Sequence, residues 1–154
     1  MLDAPNIIKT SSQPVAMIPL TVPRHEIQQV MGPGIQEIYA ALAQQGIAPT
    51  GAWRTHHRRP PSDVFDFEIC VPIDGGLQPT GRVQAGQIAA ATVARTIYHG
   101  PYEGLGDAWG ELREWVRTQG HTAATNLWEV YLAGPESGDD PTQWRTELNQ
   151  PLRV

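Results

Sequence analysis

The sequence is poor in cysteine. Cys70 is the single cysteine among 154 residues, so the chain forms no internal disulfide and suits a reducing compartment. A reactive thiol needs a neighbouring base or cation, whereas Cys70 lies in an apolar stretch where a small buried side chain is expected. We therefore expect a cytoplasmic protein in which Cys70 fills space in a strand.

The sequence also lacks long hydrophobic runs. Its longest uncharged stretches, residues 10–23 and 83–94, are too short and too rich in Gln, Gly or Pro to span a bilayer. The first residues include Asp3 and Pro5 and no apolar segment of signal-peptide length. We expect neither a membrane span nor a secretion signal.

Basic residues are few, and the formal net charge is −5. Binding to nucleic acid needs clustered Lys and Arg to neutralise phosphates, so direct contact with nucleic acid is not expected. One basic group, Arg54 with residues 56–59, precedes two prolines and is typical of a solvated loop.

Motifs for metals, nucleotides and common cofactors are missing as well. Five histidines are present, but His56 and His57 are adjacent and would point to opposite faces of a strand. The sequence has no zinc-finger or His-Glu-x-x-His spacing, no P-loop, no dinucleotide fingerprint and no Gly-x-Ser-x-Gly segment. We expect exposed histidines, no metal and no cofactor.

The sequence does contain an internal repeat. A block near its middle recurs 74 to 79 residues later, with the matches Gly46/Gly120, Trp53/Trp128, Glu68/Glu147 and Pro72/Pro151. Two copies of one structural unit in a single domain, residues 1–154, indicate a pseudo-symmetric fold. The copies are expected at about residues 5–73 and 83–152.

Each copy has the same predicted order of elements, β-α-β-β. This order indicates an α+β fold: a pseudo-twofold antiparallel sheet with two helices on one face and a central cleft. Gly32-Pro33-Gly34 is expected to interrupt the first helix, and Gly46 to end it. The apolar periodicity predicts helices within 24–45 and 105–119 and strands within 7–10, 14–20, 52–57, 64–71, 88–98, 126–132 and 144–148.

The second copy resembles a known family. It contains Tyr98-His99-Gly100-Pro101-Tyr102, then a helix with Trp109 and Trp115, and then Trp128-Glu129-Val130-Tyr131. These segments are similar to the turn, helix and following strand of the GyrI-like small-molecule-binding domains. That family includes the effector-binding domains of AraC-type and MerR-type bacterial regulators. The duplicated unit extends the resemblance over nearly the whole chain.

The resemblance implies an antiparallel sheet of eight strands, two helices behind it and a ligand pocket on the pseudo-twofold axis. In the family, the acidic residue matched by Glu129 lies in that pocket and is associated with cationic, aromatic, amphiphilic compounds. Some similar stand-alone members hydrolyse strained cyclopropane-containing DNA alkylators. No helix-turn-helix accompanies the domain here, so we expect a stand-alone bacterial domain and no DNA-binding regulator of that type.

Glu129 is the leading candidate for a functional residue. It interrupts the apolar stretch 127–132, and strand alternation places it on one face with Tyr131. The opposite face, which includes Trp128, is expected to lie beneath a helix. An ionised carboxylate on a buried strand is costly unless it is paired. Glu129 therefore needs a cationic ligand, a raised pKa with a general-base role, or an ion pair with Arg54, its expected repeat counterpart.

Aromatic side chains are expected to form the pocket wall, because flat and cationic ligands bind through stacking and cation–π contacts. Glu68 and Glu147 each interrupt an apolar alternation, and a solvated sheet face is the alternative explanation for both. Trp109 also fits a plain core position. The predicted ligand-binding residues are Glu129, Tyr131, Trp53, Tyr102, Trp109 and Glu68, with Glu129 and Tyr131 as the catalytic pair if the protein is an enzyme.

Three functions fit the sequence. The preferred one is binding of small amphipathic, aromatic or cationic molecules in the cleft, for sequestration or sensing of toxic compounds. The second is hydrolysis of strained electrophiles, with Glu129 as general base. The third is inhibition of a DNA topoisomerase through a protein contact, as the family's name suggests. The first two use the same pocket, so the sequence leaves the choice between them open.

Overall fold

The computed structural model describes residues 2–135 and 138–153, and it shows an α+β protein, as predicted. Within the described residues, neither α-helix has the length and apolar character needed to cross a membrane. The strands are β1 (Asn6–Thr10), β2 (Gln13–Pro23), β3 (Arg54–His57), β4 (Val64–Pro72), β5 (Gln84–Ile88), β6 (Ala91–His99), β7 (Leu127–Ala133) and β8 (Arg145–Pro151), and the helices are α1 (Ile27–Gln45) and α2 (Leu105–Thr118).

The chain divides into two compact units. The first unit comprises Ser11–Ala90, and the second comprises Met1–Thr10 together with Ala91–Val154. The strand order is β3-β4-β2-β5 in the first unit and β1-β6-β8-β7 in the second. Each of these neighbouring pairs is antiparallel. Pairing with β2 therefore places β5 in the first unit, and pairing with β6 places β1 in the second. Both units contain the duplicated β-α-β-β core.

Helix α1 is continuous, so the predicted interruption at Gly32-Pro33-Gly34 is wrong. Pro33 removes one backbone donor, but most of a helix's stability comes from packing its apolar face, and this face packs on the sheet on both sides of the proline. At Gly34 the helix approaches β4 so closely that a Cβ would lie 2.5 Å from Ile69 Cδ1. The helix ends at Gly46, whose φ of 67° is left-handed, as predicted.

Each unit has its own hydrophobic core between helix and sheet. In the first unit, residues of α1 pack on β2 and β4; in the second, α2 packs on β6, β7 and β8. The buried members of the second core, which holds the candidate site, are Ala94, Tyr98, Ala108, Trp109, Leu112, Val116, Leu127, Leu148 and Leu152.

The C-terminal strands of the two copies match as the sequence repeat predicts. Glu68 stands four residues before Pro72, which ends β4, and Glu147 stands four residues before Pro151, which ends β8. Both glutamates lie on the face that points away from the helix of their unit, because the alternate residues carry the core.

The preceding strands, β3 in the first copy and β7 in the second, also match, but with a shift of one residue from the match predicted from the sequence. Thr55 lies opposite Ile69, and Glu129 lies opposite Leu148, the residue after Glu147. Thr55 is therefore the counterpart of Glu129, and the extra residues of the second copy lie between Glu129 and Leu148, partly in a bulge of β7 and otherwise in the loop that follows it. A shift of one residue exchanges the faces of a strand. The predicted matches that this register corrects are Trp53 with Trp128 and Arg54 with Glu129.

His57 is buried in the first unit, which contradicts the expectation that the histidines are exposed. It is only 5% exposed, its ring stacks on Phe67 with centroids 5.3 Å apart, and it meets Phe65 edge-on at 5.7 Å. Strand alternation places His57 on the same face as these core rings. Burial and, to a smaller extent, the neighbouring His56 lower the pKa of His57 to about 4.

We predict that His57 makes the fold sensitive to acid. A histidine in the unfolded chain binds a proton below about 6.5, whereas His57 in the folded protein binds one only below about 4. The free energy of unfolding should therefore fall by roughly 3 kcal/mol as pH drops through this window. Urea unfolding at several pH values should show a smaller fall for His57→Phe. The exposed control His121→Gln should behave as the wild type, and an equal fall in His57→Phe would contradict the prediction.

Candidate functional site

Glu129 is the one acidic side chain that is buried among the described residues, with 9% of its surface exposed. It lies opposite Leu148, a fully buried residue of the core beneath α2. Cross-strand neighbours share a face, so Glu129 and Tyr131 face α2. The prediction that a helix covers the face of Trp128 is wrong, because β7 carries apolar residues on both faces and their pattern gives no sign of which face the helix covers.

Both carboxylate oxygens of Glu129 accept hydrogen bonds from aromatic side chains. Trp109 of α2 donates from Nε1 to Oε2 at 2.6 Å, and the Tyr131 hydroxyl donates to Oε1 at 2.6 Å. An indole N–H only donates, so the first bond fixes Oε2 as an acceptor. The Tyr131 hydroxyl both donates and accepts, so the second bond persists when the carboxyl group gains a proton.

The carboxylate of Glu129 has no cationic partner among the described residues. Over residues 2–135 and 138–153, no Lys, Arg or His nitrogen lies within 4.0 Å of it, so the internal ion pair considered from the sequence is absent there. Burial raises the pKa of Glu129, and the hydrogen bonds from Tyr131 and Trp109 act in the opposite direction. The charged form is thus desolvated and partnered by neutral donors.

Two further aromatic rings extend this arrangement towards solvent. The Tyr102 ring meets the Tyr131 ring edge-on, with centroids 6.0 Å apart and planes at 78°. On its other side, Tyr102 lies 5.2 Å from the ring centroid of Trp144. Both Tyr102 and Trp144 are half-buried, so they connect the buried carboxyl group with the surface. We call the five residues Glu129, Trp109, Tyr131, Tyr102 and Trp144 the Glu129 cluster.

Trp144 was not predicted from the sequence as a site residue, although the repeat contained a signal for it. Trp144 stands three residues before Glu147, just as Phe65 stands three residues before Glu68. The two aromatic residues therefore hold matching positions at the start of the last strand of each copy. Taken with Tyr102 in the turn, this match pointed to an aromatic wall beside Tyr131.

The predicted ligand-binding residues are divided between the two units. Trp53 and Glu68 belong to the first unit, where Trp53 packs against the core. Glu68 has partners of its own, since His56 Nδ1 lies 2.8 Å from its Oε1 and Arg58 Nη1 lies 3.7 Å from its Oε2. A role for these two residues in ligand binding stays a prediction. The four predicted residues that lie together in the second unit are Glu129, Tyr131, Tyr102 and Trp109.

Two other candidate sites are a reactive thiol at Cys70 and a metal centre. Cys70 is buried, and burial raises the pKa of its thiol, so the thiol remains protonated. In the part of the chain that the structure describes, no three His, Cys, Asp or Glu side chains are grouped so as to hold a metal ion.

The chain belongs to the family of GyrI-like small-molecule-binding domains, whose family model matches residues 3–153. No curated protein matches the sequence. The family places this chain among domains that bind small molecules.

Solved structures share the fold. The C-terminal domain of EcmrR is 22% identical, with a TM-score of 0.87 over 97% of both chains. Full EcmrR in its DNA complex matches with a TM-score of 0.85 at 23% identity, and this chain covers 57% of that chain. SAV2435 bound to tetraphenylphosphonium is 13% identical, with a TM-score of 0.65 over 98% of this chain and 94% of that chain. A hydrolase from Listeria innocua is 14% identical, with a TM-score of 0.66 over 97% and 91%.

We predict that Glu129→Gln stabilises the protein more at alkaline pH than at acid pH. The raised pKa means that the folded protein holds a proton on Glu129 at pH values where the unfolded chain has released it. Stability from this group is therefore present at low pH and is lost as pH rises through the folded-state pKa. Glutamine resembles the protonated form and does not titrate, so it avoids this loss, and the advantage of the variant over the wild type should grow as pH rises.

Thermal unfolding of wild type and variant between acid and alkaline pH measures the effect. The matched control is Glu147→Gln, which removes a carboxylate from the opposite face of the neighbouring strand, where Arg95 Nε lies 3.4 Å from Oε1. This control should not become more stable at alkaline pH. A loss of stability in Glu129→Gln at every pH would show that the ionised carboxylate stabilises the fold.

Proposed function

We propose that the protein binds small, amphipathic, aromatic cations at the Glu129 cluster. The observation that carries the proposal is the Glu129 carboxyl group, which is buried and has two neutral hydrogen-bond donors as partners. A buried carboxylate without a countercharge is unfavourable in its ionised form. A positively charged ligand supplies that countercharge, so it should bind more tightly than a neutral molecule of the same shape.

The aromatic members of the cluster favour a ligand with aromatic rings. Tyr102 and Trp144 are half-buried, and their ring planes meet at 38°, so both residues contribute to the surface beside Tyr131. A cation over such a ring gains about 0.5–1 kcal/mol at an exposed site and about 2 kcal/mol when water is excluded. The proposed ligand therefore places its aromatic surface against Tyr102 and Trp144 and its charge towards Glu129.

The relatives support this ligand class. SAV2435 was solved with tetraphenylphosphonium, which is an aromatic cation, and the EcmrR domain that shares this fold occurs in a protein solved with DNA. We propose that this chain sequesters or senses compounds of that type in the cytoplasm. Capture alone accounts for sequestration, whereas sensing also needs a partner that responds to the occupied domain.

Hydrolysis of a strained electrophile is the second candidate. The observation in its favour is the burial of the Glu129 carboxyl group, which raises its pKa and so strengthens it as a base. Tyr131, bonded to the same carboxyl group, would hold the base in place or donate a proton to a leaving group. The similarity in fold to a hydrolase from Listeria innocua is compatible with this chemistry. The same pocket would then hold an electrophile in place of a cation.

We predict that the protein prefers tetraphenylphosphonium to the neutral triphenylphosphine oxide. Isothermal titration or quenching of tryptophan fluorescence measures both affinities. Glu129→Gln should weaken binding of the cation by about 1–3 kcal/mol, the range of a charge-assisted contact, and should leave the neutral compound unaffected. In the wild type, affinity for the cation should rise with pH, because the ionised carboxylate forms above the raised pKa of Glu129.

Glu147→Gln serves again as the control and should bind both compounds as the wild type does. Equal affinity of the wild type for the two compounds, or equal loss of cation binding in both variants, would contradict the proposed site. Incubation with a cyclopropane-containing alkylator, followed by mass spectrometry, tests the second candidate. A hydrolase should form a product that gains one water, at a rate that falls about 10²–10⁴-fold in Glu129→Gln.

A further inference from the structure

Tyr98 makes a hydrogen bond that joins the core of the second unit to the turn carrying Tyr102. It lies near the end of β6, is only 7% exposed and packs in the core with α2. Its hydroxyl donates to the carbonyl oxygen of Pro101 at 2.7 Å. The nearby Glu103 and Asp107 and, above all, burial raise the pKa of Tyr98, so the phenol remains a donor. A buried ring thus anchors the residue that precedes Tyr102.

The turn is shaped around this hydroxyl. A Cβ at Gly104 would lie 2.1 Å from the Tyr98 oxygen, so only glycine leaves space for it there. The Gly104 N–H also donates to the Pro101 carbonyl, at 3.2 Å, which closes a short helical turn over Tyr102. On the other side, the Gly100 N–H donates to the Trp144 carbonyl at 3.1 Å. Tyr102 is therefore held from both sides.

The first copy shows that the turn itself forms without such a hydroxyl. Pro23 ends β2 and precedes a short helix, Arg24–Glu26, just as Pro101 precedes the short helix with Tyr102. Leu20 stands three residues before Pro23, at the position of Tyr98. The matching position to Tyr102 is Arg24. The hydroxyl anchor and the aromatic ring thus occur together, in the copy that contains the buried carboxyl group.

We propose that Tyr98 is a positioning residue of the ligand site: its hydroxyl fixes the Pro101 carbonyl and so sets the Tyr102 ring against Tyr131 and Trp144. The inference rests on the proposed function for its effect on ligands, but the placement of Tyr102 is a property of the free protein. Tyr98 does not touch the ligand; it acts through Tyr102. Removing the hydroxyl should leave the fold intact, since the Tyr98 ring still fills the core, and should loosen Tyr102.

The test uses Tyr98→Phe and a matched control, Thr96→Val. Thr96 lies two residues earlier on the same face of β6, is also buried, and donates its hydroxyl to a backbone carbonyl, that of Asp3, at 2.6 Å. Each variant therefore removes one buried hydroxyl bond from the same strand. The difference is that the Thr96 bond leads to the N-terminal segment and the Tyr98 bond to the Tyr102 turn.

Two readouts are measured on each full-length variant. The first is the ring signal of Tyr102 in NMR spectra of tyrosine-labelled free protein, assigned by its loss in Tyr102→Phe. The second is affinity for tetraphenylphosphonium. In Tyr98→Phe, the Tyr102 signal should shift or broaden, and affinity should fall about 3- to 10-fold, the effect of one net hydrogen bond. In Thr96→Val, both should match the wild type.

An unchanged Tyr102 signal in Tyr98→Phe, or an equal change of that signal in Thr96→Val, overturns the inference. If the wild type binds tetraphenylphosphonium, an unchanged affinity in Tyr98→Phe also overturns it. If the wild type does not bind tetraphenylphosphonium, the proposed function fails while the NMR comparison still decides whether Tyr98 positions Tyr102.

Gly104→Ala gives a further check. Its effect on the Tyr102 signal should be smaller in the Tyr98→Phe background, because the clash with the hydroxyl is gone; equal effects in both backgrounds count against the inference.

Discussion

The hydrogen bonds from Trp109 and Tyr131 to Glu129 link α2 to β7 through a carboxyl group that no cationic side chain contacts within the part of the chain that the structure describes. Polar groups are rarely buried without partners, and here each oxygen has one. The partners are neutral, however, so they satisfy hydrogen bonding and leave the charge uncompensated. Trp109 and Tyr131 are held in place by the same bonds, and Tyr102 and Trp144 are arranged beside Tyr131. The chemistry of the site follows from this one uncompensated group.

The duplicated scaffold does not depend on that group. At the position of Glu129, the first unit has Thr55, and at the position of Tyr131 it has His57, both buried. The first unit nevertheless has the same order of strands and helix and a core of its own. The carboxyl group is thus a feature that one copy carries in addition to what the fold needs. This asymmetry agrees with a functional role for Glu129 rather than a structural one.

The fold class and the repeat could be predicted from the sequence, because they depend on local patterns. Strand alternation, helical periodicity and the helix end at Gly46 are all present in the folded protein. Trp53 was misplaced against Trp128 because loop lengths hide a shift of one residue, which only strand pairing reveals. The helix was also assigned to the wrong face of β7, where both faces are apolar. The hydrogen bond between Trp109 and Glu129 was not predictable, since it joins two elements whose relative register depends on the packed core.

Direct titration of the Glu129 carboxyl group shows whether its buried charge lacks a partner until a cation binds. The side-chain carboxyl carbon of ¹³C-labelled glutamate can be followed by NMR against pH and assigned by its loss in Glu129→Gln, with and without tetraphenylphosphonium. The pKa of Glu129 should lie above the ordinary value for glutamate in the free protein and should fall when the cation is bound, because the bound charge favours the ionised form. A pKa in the ordinary range that the cation leaves unchanged would contradict this prediction.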